Sequence, residues 1–423
     1  MLRRVLFALG LLASCHLAQG QQAPPTPDFG TYNDQFEQQR RRLSDAHEYP
    51  QLLARYTDWH RRYDKLPAAQ QAQFRGYLPN IYYNEACYNS LAHQVALAVR
   101  CFKQAVAAGW RDYQHATVDT DFDYIRRDPG FQQQMAVLRE RGDYLYILQQ
   151  AGPYATNPAG ALPAYTYQPA ATPQLAALRQ RYHLDSIAGQ QSDVARCINL
   201  LHWVHNQVAH DGQHGNPASR NAQDLLAVCQ RDKRGLNCRG LATVLNEVYL
   251  AMGYQSHFVT CLPKDTLDPD CHVINVVYAP SLRKWVWMDP TNDAYVMDEQ
   301  GTLLGIEEVR ARLVDGRPLL LNPTANWNHR QSVTKQQYLY QYMAKNLYKL
   351  EIPVASQYNF ETRQPGRTFE YVQLLPQAVL ATEPPVRTHH YAKEDVTFTT
   401  HYTSDPAIFW QAPATAPAQA SAH

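Results

Sequence analysis

The segment after Cys238 constrains the fold of this 423-residue chain more than any other part of its sequence. Its apolar residues recur at the three-and-four spacing of one helical face: Leu241, Val244, Leu245, Val248 and Met252. Gly253 follows, where a helix commonly ends. The pattern predicts a buried helix of about four turns that begins at Cys238. Unpaired N–H groups and the positive end of the helix dipole lie at such a start, so they favour the thiolate of Cys238 over its thiol.

Two strands are predicted downstream of this helix. Residues 271–278 are rich in β-branched side chains, and residues 284–289 place Trp285, Trp287 and Asp289 on one side of an extended segment. If the intervening turn is centred between Pro280 and Ser281, His272 faces Asp289 across an antiparallel hairpin, with Cβ atoms about 5 Å apart. The carboxylate could then orient the imidazole, whose other nitrogen accepts the proton of a thiol. A slip of one residue would place the two side chains on opposite faces.

These segments, taken in order, resemble the transglutaminase-like superfamily, whose core is papain-like. Cys238 matches the nucleophile at a helix start, His272 the strand histidine, and Asp289, followed by Pro290 and Thr291, the aspartate. The motif 201–205 resembles the helix that precedes the nucleophile. The resemblance covers about residues 175–320 and implies an α+β fold in which helices pack on an antiparallel sheet, with Cys238, His272 and Asp289 as catalytic residues.

The sequence departs from the family pattern at two places. Members commonly have a small residue two positions before the cysteine, where this chain has Leu236. Many have an aromatic residue soon after the histidine, where this chain has Val273 and Ile274. Both departures leave the three catalytic residues intact and concern the shape of the cleft that would hold the acyl group.

The resemblance implies a thioester between Cys238 and the acyl part of a carboxamide or peptide amide. Transfer to water would make the protein an amidase or peptidase, and transfer to an amine would make it a cross-linking enzyme; hydrolysis is slightly favoured. The backbone N–H of Cys238 is expected to bind the oxyanion together with a second donor that the sequence does not identify. No calcium-binding loop motif is present, and no cofactor is expected. The alternative is an inactive cell-envelope protein that only binds a peptide or serves as a scaffold.

Further cysteines and histidines near this region allow two other interpretations. Zinc could bind among residues of these types, which would make the protein a zinc-dependent hydrolase: Cys229, Cys261, Cys271, His202, His205, His210 and His214. No C-x-x-C pair or H-E-x-x-H motif supports that reading, so no metal is expected. Cys261 and Cys271 are instead expected to form a disulfide, the alternative being two free thiols.

The N-terminus predicts export. Arg3 and Arg4 precede an apolar run at 5–12 that is too short to span a bilayer, as in a secretory signal. Residues 12–15 resemble a bacterial lipobox, in which Cys15 would become a lipid-anchored first residue. Residues 18–20 offer an ordinary cleavage site instead, which would give a signal peptide of residues 1–20. The sequence leaves both readings open.

The remaining segments suggest the domain organisation. Residues 31–150 are predicted to form an all-α domain that resembles tetratricopeptide repeats near residues 80–108, either a platform for a protein partner or an ordinary bundle. A linker at 151–174 precedes the catalytic domain at 175–322, a small β-rich extension at 323–411 and a disordered tail at 412–423. The net charge of +1 argues against a nucleic-acid partner, and a protein or peptide substrate is expected.

Overall fold

The computed structural model describes residues 28–155 and 162–413. The expected signal peptide with Cys15 and residues 414–423 of the expected tail lie outside these ranges. The described residues fall into two compact units, one of residues 28–110 and 115–135 and one of residues 111–114 and 136–413 without the gap. No helix in the described ranges combines the length and the apolar character that a membrane span requires.

The first unit is helical, as the sequence predicts. Aromatic side chains at helical spacing, among them Tyr56 and Trp59, are fully buried and form its core. Two of its helices, α4 and α5, pack against each other where the helix pair at 80–108 was expected. From residue 29 to residue 142 the helices are α1 (Phe29–Asp45), α2 (Tyr49–Asp64), α3 (Ala68–Phe74), α4 (Leu78–Leu91), α5 (Val95–Ala108), α6 (Tyr113–Val118) and α7 (Pro129–Gly142), with short 3-10 turns at Arg75–Tyr77 and Thr120–Phe122.

The second unit combines helices and strands, which confirms the predicted α+β class. Its remaining helices are α8 (Tyr144–Gln149), α9 (Pro173–Arg181), α10 (Leu184–Ala188), α11 (Asp193–Gln207), α12 (Ala222–Asp232), α13 (Cys238–Ala251), α14 (Ile306–Asp315), a π-helix (Gln336–Met343), α15 (Ala344–Asn346), α16 (Gln377–Leu380) and α17 (Ala407–Trp410). Its strands are β1 (Thr166–Tyr167), β2 (Ser256–Leu262), β3 (His272–Ala279), β4 (Lys284–Met288), β5 (Val296–Met297), β6 (Leu320–Leu321), β7 (Asn326–Trp327), β8 (Gln331–Ser332), β9 (Lys349–Pro353), β10 (Ala355–Ser356), β11 (Arg367–Leu374), β12 (Val386–Tyr391) and β13 (Val396–Thr403).

Seven of the described strands form one sheet in the order β12-β13-β11-β9-β2-β3-β4. All neighbours pair antiparallel except β11 and β13, which are parallel. Side chains of β3 point alternately to the two faces of the sheet. On one face Val277 packs with residues of α11 and α13, and on the other Ile274 packs with residues of α14 and the π-helix. The sheet is therefore covered on both faces, which explains why its central strands are apolar on both sides.

Helix α13 begins at Cys238, as predicted. The side chain of Asn237 caps it by accepting a hydrogen bond of 3.0 Å from the N–H of Gly240. Every residue from Gly240 to Ala251 is buried, so the helix crosses the core rather than covering one side of it. A Cβ at Gly240 would lie 2.9 Å from Asn216 Oδ1 and 3.1 Å from Leu236 Cβ, so the close packing at the helix start requires glycine there.

The β3–β4 hairpin forms, but its register differs from the expected one. Asn275 pairs with Met288 and Ala279 with Lys284, so the turn is centred one residue later than predicted. The difference arises because the turn contains four residues and ends on Arg283 with a positive φ of 51°. His272 and Asp289 are therefore diagonal rather than direct partners. The pairing of the two strands is shifted by an even number of residues from the predicted register, so the side chains of His272 and Asp289 remain on the same face of the sheet.

The expected Cys261–Cys271 disulfide is absent, and both cysteines are free thiols. Cys261 pairs with His272 across β2 and β3, so Cys271 lies one residue out of register with Cys261. Adjacent residues of a strand point to opposite faces, which keeps the two sulfur atoms apart.

Two segments are more integrated than the sequence suggests. The expected linker at 151–174 contributes β1, which pairs with β10, and its residues Tyr165 and Tyr167 pack beside the buried His257. The segment 323–411, expected as a small β-rich extension, supplies β9, β11, β12 and β13 to the central sheet. Pairing of β9 with β2 makes the sheet continuous with the strand next to His272.

Candidate active site

Cys238 lies at the first position of α13 and is partly exposed. Burial of its surroundings would raise the pKa of this thiol. Hydrogen bonds with the imidazoles of His210 and His272, the charge of His272 and the N–H of Val273 outweigh that effect and lower the pKa to about 6. Cys238 is therefore largely a thiolate at neutral pH, the form that acts as a nucleophile.

His272 opens β3 and is bonded to Asp289 just beyond the end of β4. Its Nε2 lies 2.7 Å from Asp289 Oδ2, and the two side chains are only 2% and 0% exposed. Burial opposes the charged imidazole, but the carboxylate of Asp289 and the sulfur of Cys238 raise the pKa of His272 well above its ordinary value. Because Nε2 is occupied by Asp289, Nδ1 is the nitrogen left to face the sulfur.

Four further donors hold the carboxylate of Asp289. Oδ1 accepts from the N–H of Thr291 at 2.8 Å and of Asn292 at 3.3 Å, while Oδ2 accepts from the Asn292 side chain at 3.0 Å and the Tyr338 hydroxyl at 2.5 Å. Burial would raise the pKa of Asp289, but the charge of His272 and these bonds lower it to about 2. A carboxylate with so many donors stays ionised and fixed in direction.

The π-helix places two tyrosines over the pair. Tyr338 donates to Asp289 and accepts a hydrogen bond of 3.2 Å from Trp287 Nε1. Tyr342, one turn later, packs edge-on against the ring of His272 with centroids 5.3 Å apart. The π geometry of this segment agrees with the frequent occurrence of such turns at functional sites.

His210 is the functional side chain that the sequence did not identify as such. Its backbone bridges to Leu236, and the N–H of Asp211 donates to Leu236 O at 2.7 Å, which brings His210 beside the start of α13. Its Nδ1 is buried and has no hydrogen-bond partner among the described residues. No local pattern indicates this role, because residues 210 and 236 meet only through tertiary structure.

Two of the histidines considered as zinc ligands, His202 and His205, bond to residues after Asp289 instead, and a third, His214, bonds to Asp211. His202 Nδ1 lies 2.6 Å from Asp293 Oδ1, and His205 bonds to Pro290 O and Asn326 Oδ1, both at 3.0 Å. In the part of the chain that the structure describes, the one cluster whose ligand atoms converge as a metal would require lies in the helical unit and comprises Cys87, Asp119 and Asp121. The structure therefore gives these histidines structural contacts, and the zinc interpretation finds no support around Cys238.

A cleft of about 320 Å³ opens beside His272. His210 and His272 line it, together with aromatic and polar side chains from the 291–342 segment: Thr291, Asn292, Trp327, Gln331, Ser332, Val333, Gln337, Tyr338 and Tyr342. The cleft is large enough for a short stretch of peptide. It thus gives a ligand access to the imidazole.

Comparison with known proteins agrees with this geometry. Residues 181–290 match the model of the transglutaminase-like superfamily, which confirms the resemblance that the motifs indicated. The matched stretch, which contains Cys238, His272 and Asp289, is thus similar to a transglutaminase-like domain.

One solved structure with detectable similarity is a candidate cysteine protease from Cytophaga hutchinsonii. The sequences are 16% identical over 30% of this chain and 40% of that chain, with a TM-score of 0.23. The chain thus matches less than half of the length of that protein. A search among curated proteins found no significant match.

Proposed function

We propose that the protein is an exported cysteine enzyme in which Cys238, His272 and Asp289 form a catalytic triad that transfers acyl groups from carboxamides or peptide amides. The observation that carries this proposal is the partly exposed Cys238 with a pKa lowered to about 6, in contact with an imidazole that Asp289 holds at 2.7 Å. An inert core cysteine would instead have its pKa raised, as burial does for Cys261.

The resting state is a thiolate–imidazolium pair. The sulfur of Cys238 attacks the carbonyl carbon, and the C–S bond forms as the carbonyl electrons move onto oxygen. His272 then gives its proton to the leaving nitrogen, the C–N bond breaks, and a thioester remains on Cys238. Neutral His272 next deprotonates the acceptor, which attacks the thioester and restores the thiolate. Asp289 stabilises the imidazolium throughout and keeps its ring in position.

Two donors are available for the oxyanion. The backbone N–H of Cys238 at the start of α13 has no preceding helical carbonyl to bond to. His210 supplies the second donor in this proposal, because its ring contacts the sulfur and lines the cleft. The two groups approach the sulfur from different elements, so the carbonyl oxygen of a bound substrate can lie between them.

Water is the favoured acceptor. The cleft beside His272 has an open mouth through which either water or an amine can reach a thioester. The products distinguish the two acceptors: hydrolysis releases a free acid, whereas transfer in the presence of an added primary amine gives a new amide. Profiling with an amide electrophile, comparing wild type with Cys238→Ala, shows whether Cys238 is the residue that reacts. Identification of the released product then gives the acyl group.

The proposal includes export of the protein from the cytoplasm and a protein partner for its helical unit. The basic and apolar N-terminus directs export, with the mature chain starting either at a lipidated Cys15 or after Gly20. The mass of the N-terminal peptide decides between these ends. The helical unit of residues 28–110 and 115–135 offers a surface for a protein partner.

Alkylation by iodoacetamide at pH 6 tests the triad. Cys238 should react at least about tenfold faster than Cys271, an also partly exposed thiol whose pKa is raised by burial. His272→Ala should abolish the excess, while Cys271→Ala should leave it unchanged. A Cys238 that reacts no faster than Cys271 would show that the protein is not an enzyme of this kind.

A further inference from the structure

A second cavity, of about 400 Å³, lies over the part of the sheet next to the start of α13. Alternate residues of β11, β12 and β13 form its floor, since Phe369 and Tyr371 pair with Phe398 and Thr400. Four arginines line it against two glutamates: Arg220, Arg239, Arg363 and Arg387 against Glu351 and Glu361. The cavity is therefore aromatic on its floor and has an excess of positive charge.

Two loops bring arginines together at this cavity. The N–H of Arg220 donates to Thr362 Oγ1 at 2.7 Å, and the N–H of Arg363 donates to Ala218 O at 2.9 Å. The buried carboxyl group of Glu247 in α13 accepts from the N–H of Ala222 and of Asn359, and so ties both loops to the helix. These contacts fix the backbone from which both arginine side chains extend toward the cavity.

The donors of these arginines are incompletely used. Among the described residues, the guanidinium of Arg220 bonds only to Pro217 O and pairs with no carboxylate. Arg363 pairs with Glu394, but its Nε is buried and has no partner in the described part of the chain. Unpaired buried donors are costly, and a ligand that accepts hydrogen bonds would satisfy them.

Glu361 gives the cavity an unused acceptor as well. Its Oε1 accepts from Arg239 at 2.6 Å and from the Tyr371 hydroxyl at 3.0 Å. Its Oε2 has no partner among the described residues, although the side chain is only 3% exposed. The expected ligand therefore carries an anionic group for the arginines and an N–H or O–H donor for Glu361. A multiply charged anion fits less well, because both glutamates would repel it.

The cavity adjoins the proposed nucleophile. Arg239, the residue after Cys238, extends into it, and Cys238 packs against the apolar cluster that contains Phe369 and Tyr371. The cavity is thus linked to Cys238 through Arg239 and these aromatic side chains, and its lining residues are distinct from those of the cleft that contains His272 and His210.

We propose that this cavity binds the terminal carboxylate of a peptide substrate, with Arg220 and Arg363 on the carboxylate and Glu361 Oε2 accepting from the last amide N–H. A carboxylate with a neighbouring amide N–H is the chemistry of a peptide C-terminus, and guanidinium groups bind carboxylates through paired hydrogen bonds. The inference rests on the proposed role of Cys238 and adds specificity: the enzyme would act near the C-terminus of peptides.

Alkylation of Cys238 by two matched pairs of reagents tests the proposal on the full-length protein. N-chloroacetyl-alanine and N-chloroacetyl-alanyl-alanine carry the carboxylate at two distances from the reactive carbon, and their C-terminal amides are the neutral twins. In each case the thiolate displaces chloride and forms a thioether. Rates are divided by those of a free cysteine peptide, which removes the intrinsic reactivity of each reagent.

In at least one pair we expect the carboxylate reagent to label Cys238 about tenfold or more faster than its amide. Arg220→Gln or Arg363→Gln should remove most of this preference, measured within each variant as the ratio of the carboxylate rate to the neutral-twin rate. Arg231→Gln, a change at an arginine that pairs with the adjacent Asp232 outside the cavity, should have no effect.

Other results would overturn the assignment. Equal normalised rates in both pairs, or a preference that survives both cavity variants, would show that the arginines do not bind the carboxylate. Protection of Cys238 by inorganic phosphate as strong as that by N-acetyl-alanyl-alanine at equal concentration would mark a general anion site. The neutral twins separate this inference from the proposed function, because their fast reaction with Cys238 requires only the activated thiolate.

Discussion

His272 Nε2 lies 2.7 Å from Asp289 Oδ2 in a region that water barely reaches. The other hydrogen-bond donors around the Asp289 carboxylate stabilise this buried ion pair. Removal of either His272 or Asp289 would leave the charge of the other residue buried without a partner. The pair therefore controls two properties at once, the charge of the imidazole and the ionisation of the sulfur beside it.

Asp289→Asn should raise the pH at which Cys238 becomes reactive. In wild type the rate of alkylation by iodoacetamide should rise with pH to a midpoint near 6, because the lowered pKa of Cys238 sets the thiolate fraction. Without the carboxylate the pKa of His272 falls, the imidazolium is lost, and the midpoint should move toward the value of about 8.5 of an ordinary thiol. The rate at pH 6 should drop by about tenfold or more. Unchanged pH–rate curves would exclude a role for Asp289 in activating the thiol.

Tyr338→Phe should lower stability more than Tyr342→Phe. The hydroxyl of Tyr338 donates to the buried carboxylate of Asp289 at 2.5 Å, and losing such a bond to a charged group costs about 1.5–3 kcal/mol. The hydroxyl of Tyr342 is 3.4 Å from Asp270 and 3.5 Å from Cys271 O, so its removal should cost less than about 0.5 kcal/mol. Denaturant unfolding measures both free energies. Equal losses would contradict the contacts described for Tyr338.

Local patterns in the sequence were sufficient to predict the parts of the site that each lie on one element. The spacing of Leu241 to Met252 predicted the helix that starts at Cys238. The β-branched residues after His272 predicted its strand, and the parity of Trp285 and Trp287 predicted the strand that ends just before Asp289. The hairpin centre was predicted one residue early, since nothing in the pattern indicates that Arg283 adopts a positive φ. The observed register differs from the predicted one by an even number of positions, so His272 and Asp289 still share a face.

Features that depend on long-range contacts were not predictable in this way. His210 reaches Cys238 because its backbone bridges to Leu236, and Tyr338 reaches Asp289 through a π-helix whose wider turn a 3.6-residue period does not describe. Insertion of β9 between β2 and β11 joins segments about ninety residues apart, and no local periodicity encodes such a partner.

His210→Ala should impair acylation much more than alkylation. Reaction with p-nitrophenyl acetate passes through an oxyanion, and loss of one oxyanion donor lowers such rates by about 10²–10³. Displacement at iodoacetamide forms no oxyanion, so at a pH above the value of about 8.5 of an ordinary thiol, where the hydrogen bond from His210 no longer decides the ionisation of Cys238, its rate should change little. His390→Ala, at an exposed histidine of β12, should alter neither rate. A parallel fall in both rates would assign His210 to thiol activation instead of oxyanion binding.

Glu247→Gln should change the pH dependence of stability. Burial raises the pKa of Glu247 to about 8, although the N–H groups of Ala222 and Asn359 act in the opposite direction. Between the unfolded pKa of about 4.3 and the folded value the native state binds more protons than the unfolded state, so this residue's contribution to stability is largest at low pH and is lost as the pH rises. Relative to Glu247→Gln, the free energy of unfolding of wild type should therefore fall between about pH 5 and pH 8, with a slope approaching 1.4 kcal/mol for each pH unit. Denaturant unfolding of both proteins across this range, with Glu140→Gln as an exposed control, measures the difference. A constant difference across the range would show that Glu247 is ionised with an ordinary pKa, and that the loops carrying Arg220 and Arg363 are held by a permanently charged carboxylate.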